Sequence, residues 1–253
     1  RRLAAGRRGR LAAARGAPLV CGDRACGTGA NLRRLAPRLP GPQRWRAVDA
    51  DESLLAHVAP ASATLRDGDG DGTTIEVRRR DLAAVPLATE VDGAALVTAS
   101  ALLDLVSGAW LDALADALRD ANAAGLFALD YDGRRECEPA DAFDARAHAA
   151  FERHQRTEKG FGPALGGDAV VRAAQAFAAR GYDVYRARSD WLLGPSDAAL
   201  QRELLQGWAE AAGESEPDAR DEVDAWLERR LAHVACGASR LRVGHEDLLV
   251  LPP

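Results

Sequence analysis

The stretch Val20–Asn31, VCGDRACGTGAN, packs two cysteines, three glycines and an aspartate into one turn behind the apolar run Pro18-Leu19-Val20. Zinc would need two further ligands at knuckle spacing, and neither Cys137 nor Cys236 supplies them. A phosphate loop ends in Gly-Lys-Ser/Thr, which GTGAN lacks. The dinucleotide fingerprint wants a third glycine where Leu32 stands. What remains is a pocket for a nucleoside without phosphates. Gly27 and Gly29 let the backbone turn tightly and approach such a ligand. In RAVDADESLL, Asp49 falls where a ribose diol would reach a carboxylate, and Asp51 suits the N-cap of the next helix. In VRRRDLAAVPL, Asp81 stands at the carboxyl edge of a third strand and can accept from an exocyclic amine.

A second acidic stretch, DGDGDG over Asp67–Gly72, imitates the start of a calcium loop. Its twelfth position, where a bidentate Glu belongs, is Arg78, so the stretch is expected to be a solvated turn and no metal site is expected.

These residues need a scaffold that sets strand ends side by side. The 253 residues, 47% apolar, fit one α/β domain with insertions. Strands are expected at Ala17–Asp23, Trp45–Asp49, Thr74–Arg79, Ala94–Thr98, Leu126–Asp130, Tyr182–Arg188 and Asp247–Leu251. Helices are expected at Ala30–Leu39, Glu52–Ala59, Trp110–Ala123, Asp168–Arg180, Asp197–Ala212 and Asp218–Cys236. Residues 1–16, rich in Arg, are expected to form a solvated helix that leads into the first strand. Segments 133–167 and 194–238 are too long for plain connections and are candidate lids.

Composition narrows the partners. The formal charge is −5, with Lys159 the only lysine, so a nucleic-acid partner is not favoured. No run reaches membrane-spanning length. Four cysteines without paired spacing fit a reducing, cytoplasmic compartment.

On Asp23 with ACGTG, Asp49, Asp81 and GAALVTASALLDL, the chain resembles the class I S-adenosylmethionine-dependent methyltransferases over about residues 15–253. The resemblance implies a Rossmann-like α/β fold: a seven-stranded sheet, mostly parallel with an antiparallel last strand, helices on both faces and helical lid insertions. It implies S-adenosyl-L-methionine as cofactor, held by Asp23, Ala25, Cys26, Gly27, Gly29 and Asn31 in the first turn, by Asp49 and Ala50 at the ribose, by Asp81 and Leu82 at the adenine, and by Thr98 and Ala99 near the methionine part. Two departures stand out. Ala25 replaces the usual first glycine, and Gly22 and Arg24 interrupt a strand expected to be apolar.

Thr98 stands where metal-dependent catechol-type relatives carry an acid, and the motifs of nucleic-acid base methylation are absent. A small-molecule acceptor is therefore expected, methylated on O, N or S without metal, by a monomer or homodimer. Asp104, Tyr131 and His154 are the candidate acceptor-side groups, His154 because its ordinary pKa suits a base near neutral pH. KGFGPALGG, with four glycines in nine residues, is a candidate flap. The other class of function is a methyltransferase-fold protein that acts on RNA or protein, or binds the cofactor without turnover.

Overall fold

The computed structural model describes residues 17–253, so the helix expected over residues 1–16 lies outside the described residues. The sheet runs through β1 (Leu19–Arg24), β2 (Gln43–Asp49), β3 (Thr74–Arg79), β4 (Leu96–Ser100), β5 (Ala124–Glu138), β6 (Asp183–Arg188) and β8 (Arg240–Leu251) in the order β3-β2-β1-β4-β5-β8-β6. β1 to β5 pair in parallel, and β8 is antiparallel to both β5 and β6. This is the class I methyltransferase fold. An eighth strand, β7 (Trp191–Leu193), joins beside β8, which the seven expected strands did not include.

Helical patterning sets the two faces. In α5 (Gly108–Asp120), Leu111, Leu114, Ala115 and Leu118 recur at helical spacing and are buried. With Ala169, Val170, Ala173 and Phe177 of α7 (Ala169–Ala178) they form one core against β4 and β5. On the other face, Leu32 and Leu35 of α1 (Ala30–Leu35) pack with Trp45, Leu55 and Val58. The helix expected over Glu52–Ala59 is two short turns, α2 (Glu52–Leu55) and α3 (Val58–Ser62). Asp51 caps α2, accepting from the N–H of Ser53 at 2.8 Å and of Leu54 at 3.3 Å. A short helix, α4 (Leu87–Val91), precedes β4.

Beyond the sheet edge β5 and β8 continue together as a ladder that pairs Arg135–Glu138 with Val243–Arg240. The expected ends at Asp130 and Asp247 fall short because alternation resumes after two bulges, which place Cys137, Leu241 and Val243 on one buried face. Three helices cover that face: α6 (Asp144–Gln155), α8 (Ala198–Ser215) and α9 (Arg220–Ala235). Arg135 is buried among them, 3.8 Å above the Phe151 ring and 4.9 Å from that of Trp208, and is paired to Glu152 at 3.5 Å. Arg230 is buried against Asp144. The expected segments 133–167 and 194–238 thus meet in one helical layer with its own core.

Candidate active site

The chain leaves β1 outward to β2 and β3, then crosses back to β4 on the other side, so the carboxyl ends of β1 and β4 flank the switch point where open α/β sheets bind ligands. The turn after β1 is built for close approach. Ala25, Gly27 and Gly29 have φ of 48°, 53° and 81°, a run of left-handed backbone. At Ala25 a side chain is carried where glycine is easiest, a local strain. The Cys26 N–H donates to Val48 O at 3.0 Å, which ties the turn to β2. A Cβ added to Gly27 would meet nothing within 4 Å, so the turn has an open face there.

Asp49 ends β2 beside that face. Its Oδ2 accepts from the Gly27 N–H at 2.8 Å and its Oδ1 from the Asp51 N–H at 3.0 Å, so two backbone amides aim the carboxylate, with Ala50 exposed beside it. Asp81 is exposed and caps its own turn through the Ala83 N–H at 2.9 Å. Leu82 is buried, and its carbonyl accepts from Trp110 Nε1 at 3.0 Å. Trp110, which the motif reading did not name, thus supports the turn that carries Asp81 and Leu82; only its place at the start of an amphipathic helix could have suggested it.

Asp23 is fully buried and holds the helix after the turn: it accepts from the Leu32 N–H at 3.1 Å and from Asn31 Nδ2 at 3.2 Å. Burial pushes its carboxyl up to about 7, against the pull of those two donors. Asn31 Nδ2 also donates to Thr98 Oγ1 at 2.9 Å, and Thr98 to Leu126 O at 2.6 Å, a chain that locks β1, α1, β4 and β5 in one register. Asp23 and Thr98 face this network, and Ala99 is buried next to it.

The interruption of β1 has a physical reason. The Arg24 guanidinium is buried, lies 3.9 Å from Glu90 and donates to the carbonyls of Glu90 and Arg46. Burial lowers it to about 10, which leaves it charged at neutral pH. Gly22, on the same side of the strand, supplies the room it occupies.

After β4, Asp104 sits in a 3-10 turn over Leu103–Leu105 and is 9% exposed. Burial raises its carboxyl to about 6. Asp130 lies close enough to feel its charge and is 1% exposed. Its Oδ1 accepts from the N–H groups of Leu102 at 3.2 Å and Leu103 at 2.8 Å. Burial, with the charges of Asp104 and Asp247, holds Asp130 well above the ordinary carboxyl range.

Tyr131 and His154 are not brought beside Asp104 as free groups. The Tyr131 hydroxyl donates to Glu152 at 2.5 Å and its ring meets Phe151 edge-on, inside the helical layer. Both His154 nitrogens are engaged, Nε2 with Glu214 at 2.9 Å and Nδ1 with Lys159 Nζ at 3.3 Å, so α6 and α8 are joined through its ring. The KGFGPALGG segment docks on the start of α5: the Phe161 ring lies 5.3 Å from that of Trp110, edge-to-face, and the Leu165 N–H donates to Val106 O at 2.9 Å.

No protein-family model matches the sequence, and no curated protein does. Among solved structures, the YcgJ protein from Bacillus subtilis is 11% identical, with a TM-score of 0.52, over 94% of this chain and 93% of that one. The cyclopropane synthase MmaA2 from Mycobacterium tuberculosis is 13% identical, with a TM-score of 0.48, over 96% of this chain and 81% of that one. A methyltransferase from Geobacter sulfurreducens, solved with S-adenosyl-L-homocysteine, is 16% identical, with a TM-score of 0.47, over 93% and 85%. At these identities the likeness is one of fold.

Proposed function

We propose that the chain binds S-adenosyl-L-methionine and transfers its methyl group to a small molecule. The observation that carries the reading is the pairing of Gly27 and Asp49: an open left-handed turn whose amide aims a carboxylate at the end of β2. The carboxylate keeps lone pairs for two ribose hydroxyls, the Asp81–Leu82 turn offers an acceptor and a backbone amide to an adenine, and Ala25–Gly29 lines the rest. When bound, the cofactor supplies an electrophilic methyl group on a sulfonium.

The residues of the chain then position and desolvate. Asp104, on the turn whose Leu102 and Leu103 amides are tied to Asp130, holds the acceptor end, while α6, α8 and the segment around Phe161 form a lid that excludes water. Asp104 is the acceptor-side acid in this reading; Tyr131 and His154 position the lid through Glu152 and Glu214.

Melting curves test the cofactor half. S-adenosylhomocysteine at about 1 mM should raise the melting temperature by mass action, and NAD or ATP at the same level should not. A shift with ATP and none with S-adenosylhomocysteine overturns the reading.

A further inference from the structure

We propose that the outer face of the β5–β8 ladder is where a second copy of this chain docks. Past the bulges, Glu136, Cys137 and Glu138 of β5 stand opposite Arg242, Leu241 and Arg240 of β8, and Leu192 of β7 stands opposite Arg242 from the other side. Strand alternation turns Cys137, Leu241 and Leu193 inward, into the core of the helical layer. It leaves Glu136, Glu138, Arg240, Arg242 and Leu192 on the opposite face, exposed or half-buried. They wall a groove of about 260 Å³, and Leu192, at 68%, is the most exposed large apolar side chain among the described residues.

The charges of this face complement themselves. Two acids stand on one strand and two bases directly opposite them on the next, so the face has no net charge and suits neither a polyanion nor a polycation. A twofold axis that runs along the ladder between β5 and β8, in the plane between two facing copies, exchanges the two strands without shifting their register. Glu136 then faces the partner's Arg242 and Glu138 faces the partner's Arg240, and each contact occurs twice. Facing sheets pack about 10 Å apart, a gap that a glutamate and an arginine reaching toward each other span. An axis across the strands would set acid on acid, so the charges select one arrangement.

Within one chain the same charges are poorly used. Glu136 and Arg242 approach only to 3.6 Å, and Glu138 and Arg240, although opposite each other, form no ion pair among the described residues. Leu192, one strand further out, closes the edge of the pair: β7 is three residues long and, among the described residues, is paired to β8 alone. Its apolar surface leaves water on docking. Exposed ion pairs are individually weak and the face is small, so the dimer is reversible and sensitive to salt. In the sheet order β5 and β8 lie beyond β4 from the Gly27–Asp49 turn, so docking leaves that turn open and needs no cofactor.

Sedimentation equilibrium of the full chain, from about 5 to about 200 μM, tests the face. Wild type should approach twice the chain mass over that range, and salt at about 0.5 M should weaken the association about tenfold. Glu138→Arg or Arg240→Glu, each alone, sets like charges against each other across the axis and should weaken it by about tenfold or more. Mixed in equal amounts, the two single variants regain opposite charges at both contacts and should associate as wild type does. The double variant Glu138→Arg with Arg240→Glu should do the same. Circular dichroism checks that each variant keeps its fold. The proposal is overturned if wild type stays monomeric at about 200 μM, if the single variants associate as tightly as wild type, or if the mixture or the double variant fails to recover.

Discussion

Gly22 and Arg24 form one structural unit: a Cβ on Gly22 would stand 2.8 Å from Nη2 and 2.9 Å from Cζ of the Arg24 guanidinium. The glycine at the centre of β1 is what lets a charged side chain lie flat under the sheet and reach Glu90. Neither residue makes sense alone in an apolar strand; together they seat a buried ion pair.

Breaking one side of such a pair leaves an uncompensated charge, so Arg24→Leu should cost about 3 kcal/mol in urea denaturation. The double variant Arg24→Leu with Glu90→Leu should recover most of that loss, because an apolar pair of similar volume has no charge to desolvate. A double variant no more stable than the single one would show that the ion pair is not what the single variant lost.

Trp110 fixes the Leu82 carbonyl from below and carries Phe161 on its edge. Trp110→Phe keeps an aromatic ring but removes the N–H. It should weaken S-adenosylhomocysteine binding by about 1 kcal/mol, the net value of one hydrogen bond, while Phe161→Ala should leave that affinity nearly intact. Equal affinities for wild type and Trp110→Phe would show that the Asp81–Leu82 turn needs no such support.

Burial raises Asp23 to about 7 and Asp104 to about 6, whereas the unfolded chain titrates both near 3.8. The folded chain therefore holds protons that the unfolded chain releases. The stability from these groups is present below about pH 4 and is lost as pH rises through their folded values. Asp141, held at about 2 chiefly by Arg229, has the opposite sign and loses its contribution as pH falls toward that value. Asp104→Asn should flatten the fall in stability between pH 4 and pH 7 in denaturant titrations. An unchanged slope would mean that Asp104 is not buried as a proton-holding acid.

In the DGDGDG turn one oxygen of Asp67 and one of Asp69 already hold backbone amides. Asp67 Oδ1 accepts from the N–H groups of Asp69 at 3.0 Å and Asp71 at 2.9 Å, and Asp69 Oδ2 from the Gly41 N–H at 2.7 Å. Millimolar calcium should leave the melting temperature unchanged. A rise that disappears in Asp69→Ala would contradict this.

The sheet and the turn after β1 were legible because their signals are local: short apolar runs that end in Gly, Asp or Asn, and an N-cap at Asp51. The helical layer was less so. The helix over Asp144–Gln155 has its apolar positions filled by Ala147, Ala150 and Phe151 among many charges, too weak a stripe to separate from a loop. What stabilises it is tertiary, the seating of Arg135 against Phe151 and Trp208 from a strand that bulges twice before reaching it. Asp104 could be placed near the site from its position after β4. Its coupling to Asp130, and the commitment of Tyr131 and His154 to Glu152 and Glu214, depend on side-chain directions that no spacing encodes.

Calorimetric titration with S-adenosylhomocysteine, on wild type and on Asp49→Ala, reaches the central claim most directly. Wild type should bind at one site per chain. Asp49→Ala, which removes the acceptor that Gly27 aims, should bind more weakly by about 2 kcal/mol, or roughly thirtyfold. No binding to wild type at about 1 mM ligand, or the same dissociation constant in both proteins, would contradict a cofactor held at Asp49.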